Sequence, residues 1–139
     1  MREFAGGRLR VSAGDLPHLN TAGLPNDNNS PLPDDQLFLG GDVRANEQIG
    51  LTTVHTIFVR EHNRLADLIA AQNPGFDDEQ IYQWARRIVG AQMQIITYEE
   101  FLPALAGDLA PDPDDVVDRD VDPSITNSFA NRSYFDRSR

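Results

Sequence analysis

Arg44 and Glu47 stand three residues apart in the run Leu37-Phe38-Leu39-Gly40-Gly41-Asp42-Val43-Arg44-Ala45-Asn46-Glu47-Gln48, and no other pair in the chain is better suited to chemistry. A guanidinium keeps its charge at any ordinary pH and can stabilise negative charge developing on an oxygen. A carboxylate in the first turn of a helix lies against the positive end of the helix dipole. The glycine pair ahead of them lets the backbone turn sharply or approach something closely. Taken alone, the residues leave two readings open. Either Arg44 and Glu47 pair with each other and merely start a helix, or both face one ligand from a fixed turn.

The remaining reactive side chains have plainer readings. His55 and His62 are seven residues apart, which places them on one helix face. Metal-binding pairs on helices stand three or four apart and need a further ligand, so hydrogen bonding in a core or interface is the expected use. His18, between Pro17 and Leu19, is expected to be incidental. The aspartates around Asp112, Asp114 and Asp115 lack the glycine turn and terminal glutamate of an EF-hand loop, and read as a solvated acidic segment. No metal ligand is assigned. The chain has no cysteine, which removes thiol nucleophiles and disulfides without fixing a compartment.

These side chains must be held by helices. Residues 46–72 carry Leu51, Val54, His55, Phe58, His62, Leu65 and Ile69 at spacings of three and four, an amphipathic stripe that predicts one long helix. Asn46 is its expected N-cap and Asn73-Pro74-Gly75 its stop. A second helix is expected over 78–98, with Asp77 and Gln80 in a capping box and Ile81, Ala85, Ile88, Val89, Gln92 and Ile95 on its buried side. A shorter helical piece, Tyr98 to Ala106, requires a bend or restart at Pro103 and ends at Gly107. Residues 1–36 are rich in Gly, Pro, Asn and Asp and read as loop. Residues 108–122 hold seven aspartates and read as an acidic loop. Residues 123–139 begin as a helix and then lose any apolar period.

The division is therefore 1–36 loop-rich, 46–72 and 78–106 helical core, 108–122 acidic loop and 123–139 a truncated helix start with a divergent tail. At 139 residues, 40% hydrophobic and 24% charged, the chain suffices for one mainly α domain with a modest core. A net charge of −10 disfavours nucleic acid and anionic membrane surfaces as partners. No apolar run reaches 18 residues, so no membrane insertion is expected.

Gly41-Asp42-Val43-Arg44-Ala45-Asn46-Glu47, followed by His55-Thr56-Ile57-Phe58-Val59-Arg60-Glu61-His62-Asn63-Arg64-Leu65-Ala66, resembles the signature segment of animal-type haem peroxidases, the superfamily of myeloperoxidase and peroxidasin. Ile81-Tyr82, Ala85-Arg86, Val89-Gly90-Ala91, Gln94-Ile95-Ile96-Thr97-Tyr98, Phe101-Leu102-Pro103 and Asp122-Pro123-Ser124-Ile125-Thr126-Asn127-Ser128-Phe129-Ala130 match in the same order. Gly6-Gly7-Arg8-Leu9 and Leu19-Asn20-Thr21-Ala22-Gly23-Leu24-Pro25-Asn26 look like the family's bacterial branch. The resemblance covers roughly residues 3–130.

It implies a piece of an all-helical peroxidase domain with long irregular loops. The implied activity is reduction of hydrogen peroxide with oxidation of a second, reducing substrate, as in a response to oxidative stress. Arg44 matches the family's distal catalytic arginine, which also contacts haem, and Glu47 matches the glutamate that can form an ester to a haem methyl group. The next position, a methionine with its own haem link in part of the family, is Gln48 here, so that link is not expected. The implied cofactor is haem b. The family's calcium site matches a segment lying before Met1, so no calcium ligand is carried over.

Two histidines complete the family's machinery: a distal one to move the peroxide proton and a proximal one to ligate iron. The distal one belongs to a segment before this chain. The proximal one is expected soon after Phe129-Ala130, where this sequence has Arg132-Ser133-Tyr134-Phe135-Asp136-Arg137-Ser138-Arg139. The expectation is an internal fragment, inactive alone, from a protein that is secreted or extracellular at full length. The competing expectation is a non-enzymatic helical scaffold or binding module derived from a peroxidase.

Overall fold

The computed structural model describes residues 2–3, 5–27 and 31–110. The expected acidic segment beyond residue 110 and the expected helix start over 123–139 lie outside the described residues.

Two antiparallel helices form the frame. The first, α1, runs Ile49–Gln72 and the second, α2, runs Asp78–Ile95. Asn73 closes α1: its backbone N–H and its side-chain amide both donate to the Ile69 carbonyl, each at 2.9 Å. Pro74-Gly75 makes the turn, and Asp77 starts α2 with the capping box its sequence foretells. The Asp77 carboxylate accepts from the Gln80 N–H at 2.7 Å, and the Gln80 side chain accepts from the Asp77 N–H at 2.9 Å. Two of the orphan donors at the helix start are thereby satisfied.

The core lies where the two helices cross near this turn. Leu65, Ala66 and Ile69 of α1 meet Ile81 and Ala85 of α2, with Ala70, Phe76 and Val89 packed around them. Ala66 and Ala85 are wholly buried, and their small side chains let the helix backbones approach closely. A polar tie follows further along, where the Gln92 amide donates to Glu61 at 2.8 Å. Arg64 first, and then Gln92, hold the Glu61 carboxyl down at about 2.

The described residues among the first 36 wrap this pair without regular strands. Arg2↔Leu9, Val11↔Pro17 and Leu19↔Phe38 form isolated antiparallel bridges, and Asp34–Gln36 makes one 3₁₀ turn. The segment is strapped to the helices by side chains. Arg2 bridges Asp78 and Glu79 and lies over the Tyr82 ring, its guanidinium carbon 3.9 Å from the centroid. Arg8 pairs with Asp67. The Gly7 N–H donates to the Asp78 carboxylate at 2.7 Å. Gly7 has φ +65, and a Cβ there would run into the Ile81 side chain and the Tyr82 backbone, so both conformation and space demand glycine.

Three expectations need correction. α1 begins at Ile49, not Asn46, and Gln48 caps it by accepting from the Gly50 N–H; Asn46 is occupied elsewhere. The stripe of α1 is buried in its second half only: Leu65 and Ile69 are in the core, whereas Leu51 and Phe58 are half-buried and Val54 is 47% exposed. The same holds on α2, where Ile88 and Ile95 are exposed. The helices bury apolar area near their connection, and beyond it the stripes lack a covering partner among the described residues. Finally, α2 stops at Ile95, short of the expected 98, and a π-helical segment, Ile96–Phe101, follows it. The expected restart near Pro103 is α3, Leu102–Ala106. Pro103 lies in the first turn of α3, where its missing N–H costs nothing. Gly107, at φ +55, ends α3 as expected.

Two substitutions test this account. Asp77→Ala removes half of the capping box and is expected to lower stability by about 1 kcal/mol, measured as a drop in Tm of the full chain. Gly7→Ala is expected to cost about 2–4 kcal/mol, from strain at positive φ together with overpacking. An unchanged melt for Gly7→Ala would mean that the N-terminal strap is not seated on α2.

Candidate functional site

The Arg44 turn is built from short-range constraints. Ala45 is 3% exposed and packs over Gly40, where any Cβ would collide with the Ala45 methyl. The Asp27 N–H donates to the Val43 carbonyl at 2.9 Å, fixing the outer side of the turn. Asn46 fixes the inner side. Its Oδ1 accepts from the Phe38 N–H at 3.0 Å, and its Nδ2 donates to the Phe38 carbonyl at 2.7 Å and to Asn26 Oδ1 at 2.9 Å. The Thr52 hydroxyl donates to the Ala45 carbonyl at 2.9 Å and ties α1 back to the turn. The Glu47 N–H donates to the Arg44 carbonyl at 2.8 Å, so the two candidate residues belong to one hydrogen-bonded turn immediately before α1.

Arg44 is half-exposed, and its partner is Asp42. Nε donates to Asp42 Oδ1 and Nη2 to Asp42 Oδ2, both at 2.9 Å. Asp42 Oδ1 also accepts from the Arg44 backbone N–H at 2.9 Å. These contacts hold the Asp42 carboxyl well below the usual carboxylate range and raise the Arg44 guanidinium further above neutrality. The two bonds use Nε and Nη2, not Nη1. Glu47 lies close enough to add to the charge felt by Arg44, and His55 to that felt by Asp42. Val43 and Ile49, on either side, are 52% and 86% exposed.

The histidines have scaffold positions. His55 Nδ1 donates to the Leu51 carbonyl of its own helix at 2.9 Å. His62 is buried, donates from Nε2 to the Gly7 carbonyl at 2.9 Å, and lies 5.2 Å from the Tyr82 ring. His18 contributes its backbone carbonyl, which accepts from the Leu39 N–H. Among the described residues no group of three or more His, Cys, Asp or Glu is placed to hold a metal ion. His55 and His62 line an open groove of about 630 Å³ between α1 and α2, with Val54, Phe58, Tyr82 and Met93.

Sequence reasoning missed Asp42 and Asn46 as parts of this site. Asp42 was visible as the acid two places before the arginine. Asn46 was visible only as a helix cap, since nothing local reveals that its side chain serves the backbone of Phe38.

The animal haem peroxidase family model matches residues 1–135. Lactoperoxidase of Mesocricetus auratus is 52% identical over 95 residues, 66% of this chain and 13% of that protein. Peroxidasin homolog pxn-1 of Caenorhabditis elegans is 47% identical over 102 residues, 70% of this chain and 8% of that protein. Among solved structures, Peroxidase A from Dictyostelium discoideum superposes with a TM-score of 0.69 at 42% identity, over 73% of this chain and 21% of that one. The chain thus spans a small part of the length of its relatives.

His62 gives this region a pH dependence. Burial, opposed by the Gly7 carbonyl and reinforced by the Arg2 charge, lowers the ring's pKa below its ordinary value. The fold therefore holds the neutral ring. Its contribution is complete above the unfolded-state pKa of about 6.5 and is lost as pH falls below that towards the lowered folded value. The drop in Tm between about pH 7.5 and about pH 5.5 should be smaller in His62→Asn than in the wild type. Equal drops in the two proteins would show that the ring is not kept neutral by burial.

Proposed function

Taking as premise that this chain belongs to the animal haem peroxidase family, we propose that it supplies one edge of a haem pocket in which hydrogen peroxide is reduced and a second substrate oxidised. The observation that carries this is the turn before α1, which holds a half-exposed guanidinium and a carboxylate in one hydrogen-bonded unit.

The donor set suits a haem edge. Arg44 Nη1 lies outside the pair with Asp42 and can donate to a peroxide oxygen or a propionate. Glu47, one carbonyl bond along, supplies a carboxylate. Val43 and Ile49 offer apolar surface beside them. Arg44 and Glu47 would hold the haem, which when bound supplies the redox-active iron for peroxide reduction.

The part played by this chain follows from charge. Cleavage of the peroxide O–O bond develops negative charge on the departing oxygen, and the Arg44 guanidinium, held by Asp42, would stabilise it and orient the peroxide. Two electrons from the reducing substrate and two protons complete the conversion of hydrogen peroxide to two waters. Glu47 would hold the haem covalently as well, through an ester between its carboxylate and a haem methyl group with hydrogen peroxide as the two-electron oxidant, and so keep the macrocycle against the turn.

Haem titration tests the reading. Ferric haem added to the full chain should give a saturable Soret change that Arg44→Ala weakens. After treatment with peroxide, part of the haem should resist acidic organic extraction in the wild type and none in Glu47→Gln. Where haem-loaded protein turns over, Arg44→Ala should slow peroxide cleavage by a factor on the order of 10²–10³. A chain that takes up no haem saturably would instead be a helical scaffold of the same family.

A further inference from the structure

Asp42 is the nearest fixed charge to the candidate guanidinium, and its geometry is specific. It meets the Nε/Nη2 side of Arg44 with both oxygens, at 2.9 Å each, the paired geometry that fixes a guanidinium plane as well as its position. The carboxylate is itself fixed. Oδ1 accepts the Arg44 backbone N–H, and the Asp42 carbonyl accepts the Ala45 N–H at 3.1 Å, so Asp42 closes the turn whose middle residue it steers. Ala45 is locked over Gly40. The chain from Gly40 to Ala45 is therefore a turn tied by its own contacts, with Asp42 as its contact to the guanidinium.

We propose that Asp42 is a positioning residue for Arg44, holding the guanidinium by its Nε/Nη2 side so that the Nη1 side is presented to the ligand. The inference rests on the haem-pocket reading of Arg44. It assigns Asp42 no contact with haem or peroxide. The lowered carboxyl of Asp42 and the raised guanidinium of Arg44 agree with a pair that stays ionised throughout the working pH range.

A charge argument separates positioning from bulk electrostatics. Removing a carboxylate makes the site more positive, which by itself tightens binding of a porphyrin with two propionates. Loss of positioning works the other way, because an untethered arginine must be ordered on binding. Asp42→Asn is the discriminating variant. The carboxamide it introduces keeps an oxygen acceptor for the Arg44 N–H and preserves the turn, but its own N–H groups oppose the Nη2 donor.

The experiment is a ferric haem titration of the full chain in four forms: wild type, Asp42→Asn, Arg44→Ala and the double variant, each with helix content checked by circular dichroism. Asp42→Asn is expected to weaken haem binding about two- to fivefold, the scale of a half-exposed ion pair, and to have no effect in the Arg44→Ala background. Nitrogen-15 NMR of the Arg44 Nε–H should show slow exchange in the wild type and fast exchange in Asp42→Asn. If Arg44→Ala weakens binding while Asp42→Asn leaves it unchanged or tightens it, the positioning role is overturned and the haem-pocket reading stands. An equal loss from Asp42→Asn in both backgrounds also overturns it, since Asp42 would then be supporting the turn alone. No saturable haem binding in the wild type overturns the haem-pocket reading, and this inference with it.

Discussion

The structure depends on how a long N-terminal segment, strandless among its described residues, satisfies its backbone. Buried N–H and C=O groups must find partners, and without a sheet the N-terminal segment has few of its own. Three asparagines supply them in the same way. Asn63 accepts from the Leu9 N–H and donates to the Leu9 carbonyl, at 2.7 and 2.9 Å. Asn46 does so for Phe38, and Asn20 for Leu24. A carboxamide carries an acceptor and a donor side by side, as a neighbouring strand would, so each clasp replaces one rung of a sheet. Asn20 and Asn63 are 0% and 5% exposed, which makes each clasp costly to lose.

The clasps also set where the functional elements begin. Because Asn46 serves Phe38, it cannot cap α1, and the helix starts at Ile49 under Gln48. The residues from Asp42 to Glu47 are then left as a turn rather than as first helical residues. That keeps Arg44 beside Asp42 instead of on a helix face. On α1 itself, Asn63 and His62 direct polar groups to Leu9 and Gly7, and the next residues, Leu65 and Ala66, turn to α2. One helix thus seats the loop with one side and its partner helix with another.

This division explains what the sequence disclosed and what it hid. Asp77 and Gln80 lie three apart and act on each other's backbones, so the start of α2 was readable from a local pattern. The Leu65 and Ile69 burial was readable from period alone. The exposure of Val54, Ile88 and Ile95 was not, because a stripe shows which side is apolar and not how far along it a partner reaches. Nor was the π-helical segment, since no residue type marks it out. Arg44 and Glu47 stood out through a resemblance spanning many motifs. Asp42 and Asn46 lay inside the same run, but their work depends on a side-chain geometry and a distant backbone group.

The ion pairs set Arg44 apart from Arg2, Arg8 and Arg60. Arg2 reaches Asp78 and Glu79, and Arg8 reaches Asp67, each joining the N-terminal segment to a helix across more than fifty residues. Arg60 crosses a similar gap to the carbonyls of Gly14 and Asp15. Arg64 pairs with Glu61 on the face of α1, at helical spacing. The Arg44–Asp42 pair joins residues two apart and ties no element to another. Both members are about half-exposed, and such a pair adds little to folding stability. Asp42 also closes its own turn by accepting the Arg44 and Ala45 N–H groups; on the proposed reading, the same two-point contact with the guanidinium sets the angle at which that one charged group meets the haem.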